Sequence, residues 1–357
     1  LLKIVPKGRV SLQKSSSTAY FFLAYMSIAV FRWLLLLLLL FLAMAANLLC
    51  GSVDIPFSTV WALLFDAQAG DMVQATIVRN LRLPSALMTL ASGAALGVAG
   101  LLMQTLFRNP IASPYLLGVS AGGAMGVAVG VLWLGWASAW AVAGLGMLGS
   151  AGVLVLVLLV SLRLRQGASL LVVGMMLGSV ASAAVELMQY FAEGGALQRY
   201  AAWSQGSTLG SSWQEVALVL PSTLIILLLL VGAARGLDGL LLGEAYAESM
   251  GVRVRRLRFL LICASAVLSG LVVAFCGMIG FVGIVAPHLS RLLWRTHRHS
   301  ALLFASAGVG ALLLLLCLWA SVLMGSAVGR VLPLNVFTSL VGVPMVVYIV
   351  ARGREIQ

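Results

Sequence analysis

Few residues in this chain have the types and spacing for covalent chemistry. Gly118-Val119-Ser120-Ala121-Gly122 matches the Gly-x-Ser-x-Gly pattern of a serine nucleophile, with His288 as the candidate base. That chemistry needs a strand-to-helix elbow, whereas here the pattern opens a glycine-rich apolar stretch in which small residues at this spacing serve helix packing. Intramembrane proteolysis is therefore the remote alternative. No Gly-x-x-x-x-Gly-Lys-Ser/Thr phosphate loop occurs, so if ATP drives the protein another chain binds it. Cys50, Cys263, Cys276 and Cys317 lie in or at the ends of apolar segments without paired spacing, and read as packing residues rather than disulfides or metal ligands. His288 reads as a helix-end hydrogen-bond partner rather than a haem or metal ligand.

Three polar groupings bear on transport instead. Glu186 is essentially the one ionisable residue within an apolar segment, which points either to a substrate pathway or to a side chain reaching the membrane surface. Proton- or sodium-driven carriers use more buried carboxylates, so the energy is expected from outside these segments. Leu240 to Gly251 reads as a short helix with Glu244 and Glu248 one turn apart, closed by Gly251 and followed by Arg253, Arg255, Arg256 and Arg258. Such a helix suits a cleft in a soluble partner; the other reading is a solvated loop with basic lipid anchors. Arg82, ahead of Pro84, and nearby Arg79 suit either a bidentate carboxylate contact or anchoring at head groups.

The elements that position these residues are membrane helices. The chain is 62% hydrophobic and 9% charged, where an ordinary soluble domain carries about 25% charged residues. Only a helix or closed barrel satisfies its own backbone in lipid. The apolar runs predict an all-α polytopic membrane protein with about ten transmembrane helices, over 32–50, 84–106, 114–134, 138–161, 169–191, 213–234, 257–276, 278–293, 301–325 and 333–351. The eighth is too short to cross straight, and Gly277, Gly280 and Gly283 at its join with the seventh point to half of a re-entrant or broken pair. Gly118, Gly122, Gly126 and Gly130 on the third span, and Gly93, Gly97 and Gly100 on the second, predict close backbone packing. Residues 1–31 form a basic N-terminal tail, partly disordered or interfacial, that starts on Leu rather than Met as a trimmed end would. The bundle occupies 32–351, with a loop at 235–258 within it and a tail at 352–357.

Lys and Arg residues settle the expected orientation, because positive loops stay cytoplasmic. With the N-terminus inside, only Arg79, Arg82, Arg199 and Arg330 of the 22 basic residues fall outside, and an even span count returns the C-terminus inside. The net charge of +12 then reflects topology and anionic lipid, with no nucleic acid needed.

Three stretches in order carry a family resemblance. The first runs from Leu81-Arg82-Leu83-Pro84 through Met103-Gln104 and Arg108-Asn109-Pro110 to Leu117-Gly118-Val119-Ser120-Ala121-Gly122. The second is Leu242-Gly243-Glu244-Ala245-Tyr246-Ala247-Glu248-Ser249-Met250-Gly251, and the third Gly277-Met278-Ile279-Gly280-Phe281-Val282-Gly283 with Ala286-Pro287-His288 and Arg291. Over roughly 32–351 the chain resembles the permease subunits of type II ABC importers, which take up ferric siderophores, haem and cobalamin. The resemblance implies a homodimer with its pathway on the two-fold axis in the bacterial inner membrane. Two ATPase subunits would hold ATP and Mg, a periplasmic binding protein would deliver the ligand, and this chain would bind no cofactor and do no covalent chemistry. It implies ATPase coupling through Gly243, Glu244, Ala247, Glu248 and Gly251, and a pathway or gate with Glu186, Met188 and Gln189. Binding-protein docking would fall to Arg82. The family's second arginine is replaced by Ser85, and its Asp and Arg by Ser321 and Gly325, so Arg79 and Arg330 are the substitutes expected there. An iron chelate, siderophore or haem, is expected ahead of cobalamin, by alternating access. A stand-alone secondary transporter or channel is the alternative.

Overall fold

Backbone N–H and C=O groups in hydrocarbon have no water to bond, and this chain answers with helices almost throughout. The computed structural model describes residues 10–51, 53–66, 71–136, 138–161, 167–329 and 332–353, and among these no strand occurs. The helices are α1 (Val10–Leu49), α2 (Phe57–Phe65), α3 (Met72–Thr76), α4 (Leu83–Phe107), α5 (Val119–Ala128), α6 (Ala139–Ser161), α7 (Gly167–Phe191), α8 (Gly194–Ser204), α9 (Trp213–Leu242), α10 (Glu244–Ser249), α11 (Val254–Cys276), α12 (Val282–Trp294), α13 (His299–Val328) and α14 (Leu334–Gly353). Among the described residues seven segments are long and apolar enough to cross a bilayer: part of α1, the continuous α3–α4 rod, α6, α7, α9, α11 and α13. Val119–Trp133, Leu334–Ile349 and the thirteen-residue α12 supply the rest of the ten expected.

α4 lies at the centre, buried along most of its length with α11 and α13 around it, while α1, α6, α7 and α9 leave most of their surface open. Glycine makes this possible. A Cβ at Gly93 or Gly97 would run into the backbone carbonyls of Gly310 or Ser306 on α13, and one at Gly100 into Gly283 on α12. In the same way Gly122 and Gly126 seat α5 on Gly149 and Leu145 of α6. Gly93, Gly97, Gly118, Gly122 and Gly126 thus each stand against the backbone of a neighbouring segment, the form of attraction left to helices in lipid.

α11 and α12 are the broken pair expected from the glycines. Gly277 (φ +74°) turns the chain out of α11, and the non-helical link to Val282 is satisfied by neighbours. Ile279 N–H donates to Tyr115 Oη (2.9 Å), Gly280 N–H donates to Asn335 Oδ1 (3.1 Å), and Ser207 N–H closes on the Cys276 carbonyl (2.8 Å). Irregular backbone at this depth is tolerated only because protein groups take the place of water.

Several expected boundaries move. Helix begins at Val10, within the stretch expected as a tail, and the second span starts at Met72, passing through one wide π turn over Ile77–Arg82 before α4. The third span divides into a 3₁₀ turn over Pro114–Leu117, α5, and a second π turn over Val129–Trp133. The sixth runs on from 234 to Leu242, because buried Leu237 and Leu240 keep packing after the chain has left the apolar zone. The short α2 and α8 were not expected at all.

Candidate coupling, pathway and docking sites

The candidate coupling segment is built where α9 ends. Gly243 (φ +124°, ψ 153°) breaks the helix in a conformation that only glycine adopts readily, and α10 follows at once. A Cβ on Gly243 would lie 3.6 Å from Arg108 Nη1, so the end of α4 sits beside this turn. Gly251 closes α10 at φ +80°, with the Val252 N–H donating to the Ala247 carbonyl (3.0 Å). Ala247 is fully buried and packs on Gly239 of α9, and Glu244 pairs with Arg258 of α11 at 2.5 Å. These two expected contact residues therefore brace α10 from within. The outward surface includes Ala245, Glu248 and Ser249 with Leu242, Tyr246 and Met250, the last three 68%, 50% and 59% exposed. Sequence reasoning chose the two glutamates with Gly243, Ala247 and Gly251 and missed these apolar residues, although their 242/246/250 spacing was the available signal.

At the opposite end of the bundle Arg82 and Arg79 are not free guanidinium groups. Arg82 donates to the carbonyls of Leu48 (2.8 Å) and Leu49 (2.9 Å) at the end of α1 and to Val53 (2.5 Å). Arg79 Nε donates to the Leu63 carbonyl of α2. A cation at a helix C-terminus is stabilised by the orphan carbonyls there, and this half-buried Arg82 caps α1. Both guanidinium groups expected for docking are thus held by backbone carbonyls of this chain. Ser85, Ser321 and Gly325 line one cavity of about 590 Å³ with Arg82 and Asn47. Arg330 lies outside the described residues.

α7 presents an open stripe of Val172, Met176, Val180, Leu187 and Tyr190, and Glu186 lies on it, exposed. Met188 and Gln189 turn partly inward, Met188 against the Val127, Val131, Val185 and Tyr200 cluster. The three expected pathway residues thus share one helix end without converging on a single point. Gly174 and Gly178 hold the other face of α7 against Leu117 and Gly118.

The serine pattern is a packing device. Gly118 meets the backbone of Gly174 and Gly178, and Ser120 Oγ is buried with no hydrogen-bond partner among the described residues. α5 packs on α6, α7 and α11, whereas His288 belongs to α12, which packs on α4, α13 and α14. No group of three or more His, Cys, Asp or Glu side chains that could hold a metal occurs among the described residues.

Comparison with known proteins decides between the remaining classes. The FecCD transport family matches residues 34–352. The chain belongs to the FecCD transport family. The hemin transport system permease protein of Yersinia pestis is 34% identical over 90% of this chain and 95% of its own length. The vitamin B12 import system permease protein of Yersinia enterocolitica is likewise 34% identical, over 90% and 93%. A solved structure described as an inward-facing metal-chelate type ABC transporter superposes with a TM-score of 0.78 at 31% identity, over 89% of this chain and 97% of that one. As a FecCD protein the chain is a multi-pass permease subunit of an ABC transporter, not an enzyme, and ATP hydrolysis resides on a separate subunit. That removes both the protease and the stand-alone carrier.

Proposed function

We propose that this permease imports a metal chelate, a ferric siderophore or haem ahead of cobalamin, as a homodimer in the bacterial inner membrane. Two ATPase subunits carry ATP and Mg and seat on the α10 segments, and a periplasmic binding protein delivers cargo to the opposite end. The N- and C-termini face the cytoplasm, consistent with the basic residues gathered at the α10 end. The observation that carries the coupling assignment is the exposed pair Tyr246 and Met250 of α10, next to exposed Leu242 at the end of α9 and beside Arg253, Arg255 and Arg256. Apolar side chains standing in water mark a contact surface.

The open stripe of α7 supports a pathway between two copies. A carboxylate among apolar residues is costly in lipid, so Glu186 fits a water-lined dimer axis better than an acyl-chain environment. ATP binding and hydrolysis would shift the α10 segments and open the axis toward one side at a time.

The test is reconstitution of the permease with its ATPase and binding protein in proteoliposomes. Hemin, ferrichrome and cyanocobalamin are offered in turn, and ATP hydrolysis and uptake are followed. Stimulation by hemin or ferrichrome is expected. Stimulation by cyanocobalamin alone refutes the iron assignment, and uptake without the ATPase refutes the coupled mechanism.

A further inference from the structure

The cytoplasmic end of the bundle holds a buried polar chain that joins three helices through side chains far apart in sequence. Asp238, on the last turns of α9, accepts from the backbone N–H of His299 (2.8 Å), and the same Oδ1 lies 2.7 Å from His299 Nδ1. On the far side of the ring, His299 Nε2 lies 2.8 Å from Thr105 Oγ1 on α4. His299 and Thr105 are both completely buried, while Asp238 reaches partly to solvent. With the Nδ1 proton directed at Asp238, Nε2 accepts from the Thr105 hydroxyl, which it shares with the Leu101 carbonyl (2.8 Å), and the ring bridges α9 to α4 while its own backbone starts α13.

This chain sits where motion would enter. Asp238 precedes the Gly243 break by little more than one turn, so any tilt of α10 acts first on the stretch that carries it. Its receiver, Thr105, adjoins Gln104, which accepts from Arg291 Nη1 (2.6 Å) and donates to the Ile284 carbonyl (3.2 Å), both on α12. Below them Arg108 reaches to Gly243. The last turn of α4 is thus bonded to α13 and α12 and, through His299, to α9. Apolar side chains slide past one another at little cost, but a directional bond between buried polar groups either holds or leaves them unsatisfied. Above this level the glycine contacts between α4 and α13 leave no room for slip.

We infer that Asp238, His299 and Thr105 are positioning residues that form the joint through which displacement of the ATPase-facing segment is passed to α4 and α13. The inference rests on the assignment of α10 to the ATPase. The joint acts after docking, so failure of that assignment would appear as unaltered ATPase binding in α10 variants, whereas failure of the joint would appear only in cargo moved per ATP.

The experiment uses the complete transporter in proteoliposomes, with hemin, ferrichrome or cyanocobalamin, whichever the wild-type complex carries, and reads cargo moved per ATP hydrolysed. His299→Asn keeps a polar group toward Asp238 and loses Thr105; His299→Gln does the reverse. Thr105→Val removes the far bond without opening a cavity, so the inference does not depend on histidine variants that fold. Each of the three should leave complex assembly intact and ATP hydrolysis within about twofold of wild type, while cargo per ATP falls about fivefold or more. Adding Thr105→Val to His299→Asn should cost nothing further, and Asp238→Asn, which keeps the acceptor, should retain more coupling than Asp238→Ala. Unchanged cargo per ATP in Thr105→Val and Asp238→Ala overturns the inference. So do additive losses, or a parallel fall of thermal stability, hydrolysis and uptake, which would mark a role in folding alone.

Discussion

If Leu242, Tyr246 and Met250 are the surface on which the ATPase seats, truncating them must weaken that association by an amount the structure sets. Tyr246 is 50% and Met250 59% exposed, so each has about half of its side chain still to bury. Full burial of a large apolar side chain is worth roughly 1.5–3 kcal/mol, and half of that leaves about 1 kcal/mol for each. The double variant Tyr246→Ala with Met250→Ala should therefore lose about 2 kcal/mol, or ~30-fold in Kd for the ATPase subunit. Titration of labelled ATPase onto permease in nanodiscs, without nucleotide, gives the affinity directly. Leu229→Ala is the control, since Leu229 on α9 is 65% exposed within the membrane-spanning segment and loses similar area. Half of each side chain also packs on the bundle, with Met250 Sδ beside Gly239 of α9, so a modest fall in unfolding temperature accompanies the loss of affinity. An unchanged Kd, or an equal loss in the Leu229 control, would refute the docking reasoning.

Other substitutions separate the remaining roles. Gly97→Ala forces a methyl group into the Ser306 carbonyl and should destabilise by about 1–3 kcal/mol, read as a lower unfolding temperature. Gly144→Ala, with nothing within 4 Å of the new Cβ, should be neutral or slightly stabilising by the same measurement. Arg82→Ala strips three carbonyl partners at the end of α1 and should cost about 2 kcal/mol of thermal stability, with Arg82→Lys recovering only part; no loss would show that water replaces the guanidinium freely. Ser120→Ala should transport normally, and the wild type should not react with fluorophosphonate probes; loss of uptake with intact folding would revive a chemical role for the hydroxyl. Glu186→Leu should cut uptake severalfold without raising the unfolding temperature, whereas a stability gain with normal uptake would place this face in lipid.

The number and order of the membrane helices were legible because hydrocarbon imposes length and composition on each of them. Their ends were less so. Arg235 and Asp238 mark where α9 leaves the apolar zone, but a helix stops where its backbone bonding stops, and Gly243 does that two turns later. The glycine contacts were readable from spacing, since a close approach needs a missing side chain on one helix face. Arg82 could not be read in the same way. Its type and its place beside Pro84 suit several partners, and the choice was made by Leu48, Leu49 and Val53, brought to it by the return of the chain from α1. Asp238 and His299 are 61 positions apart, and nothing in the local pattern of either announces the other.

The distribution of tight and open surfaces bears on how such a subunit moves. α4 meets α12 and α13 through glycine and carbonyl, and these contacts must move together or break. α7 is held along one face, by Gly174 and Gly178 against the turn at Gly118 and by Val185 and Met188 in the cluster with Val127, Val131 and Tyr200, and its other face is bare. A helix packed along one face can rock about it while its neighbours stay fixed. The one carboxylate on that bare side, Glu186, belongs to the helix with the freedom to change what it faces. A pathway wall that moves and a core that does not would then be two consequences of where the backbone lacks a Cβ. Under the proposed function the energy for the motion would enter from the other end of the molecule, at α10, where Tyr246 and Met250 are exposed and the polar chain from Asp238 to Thr105 begins.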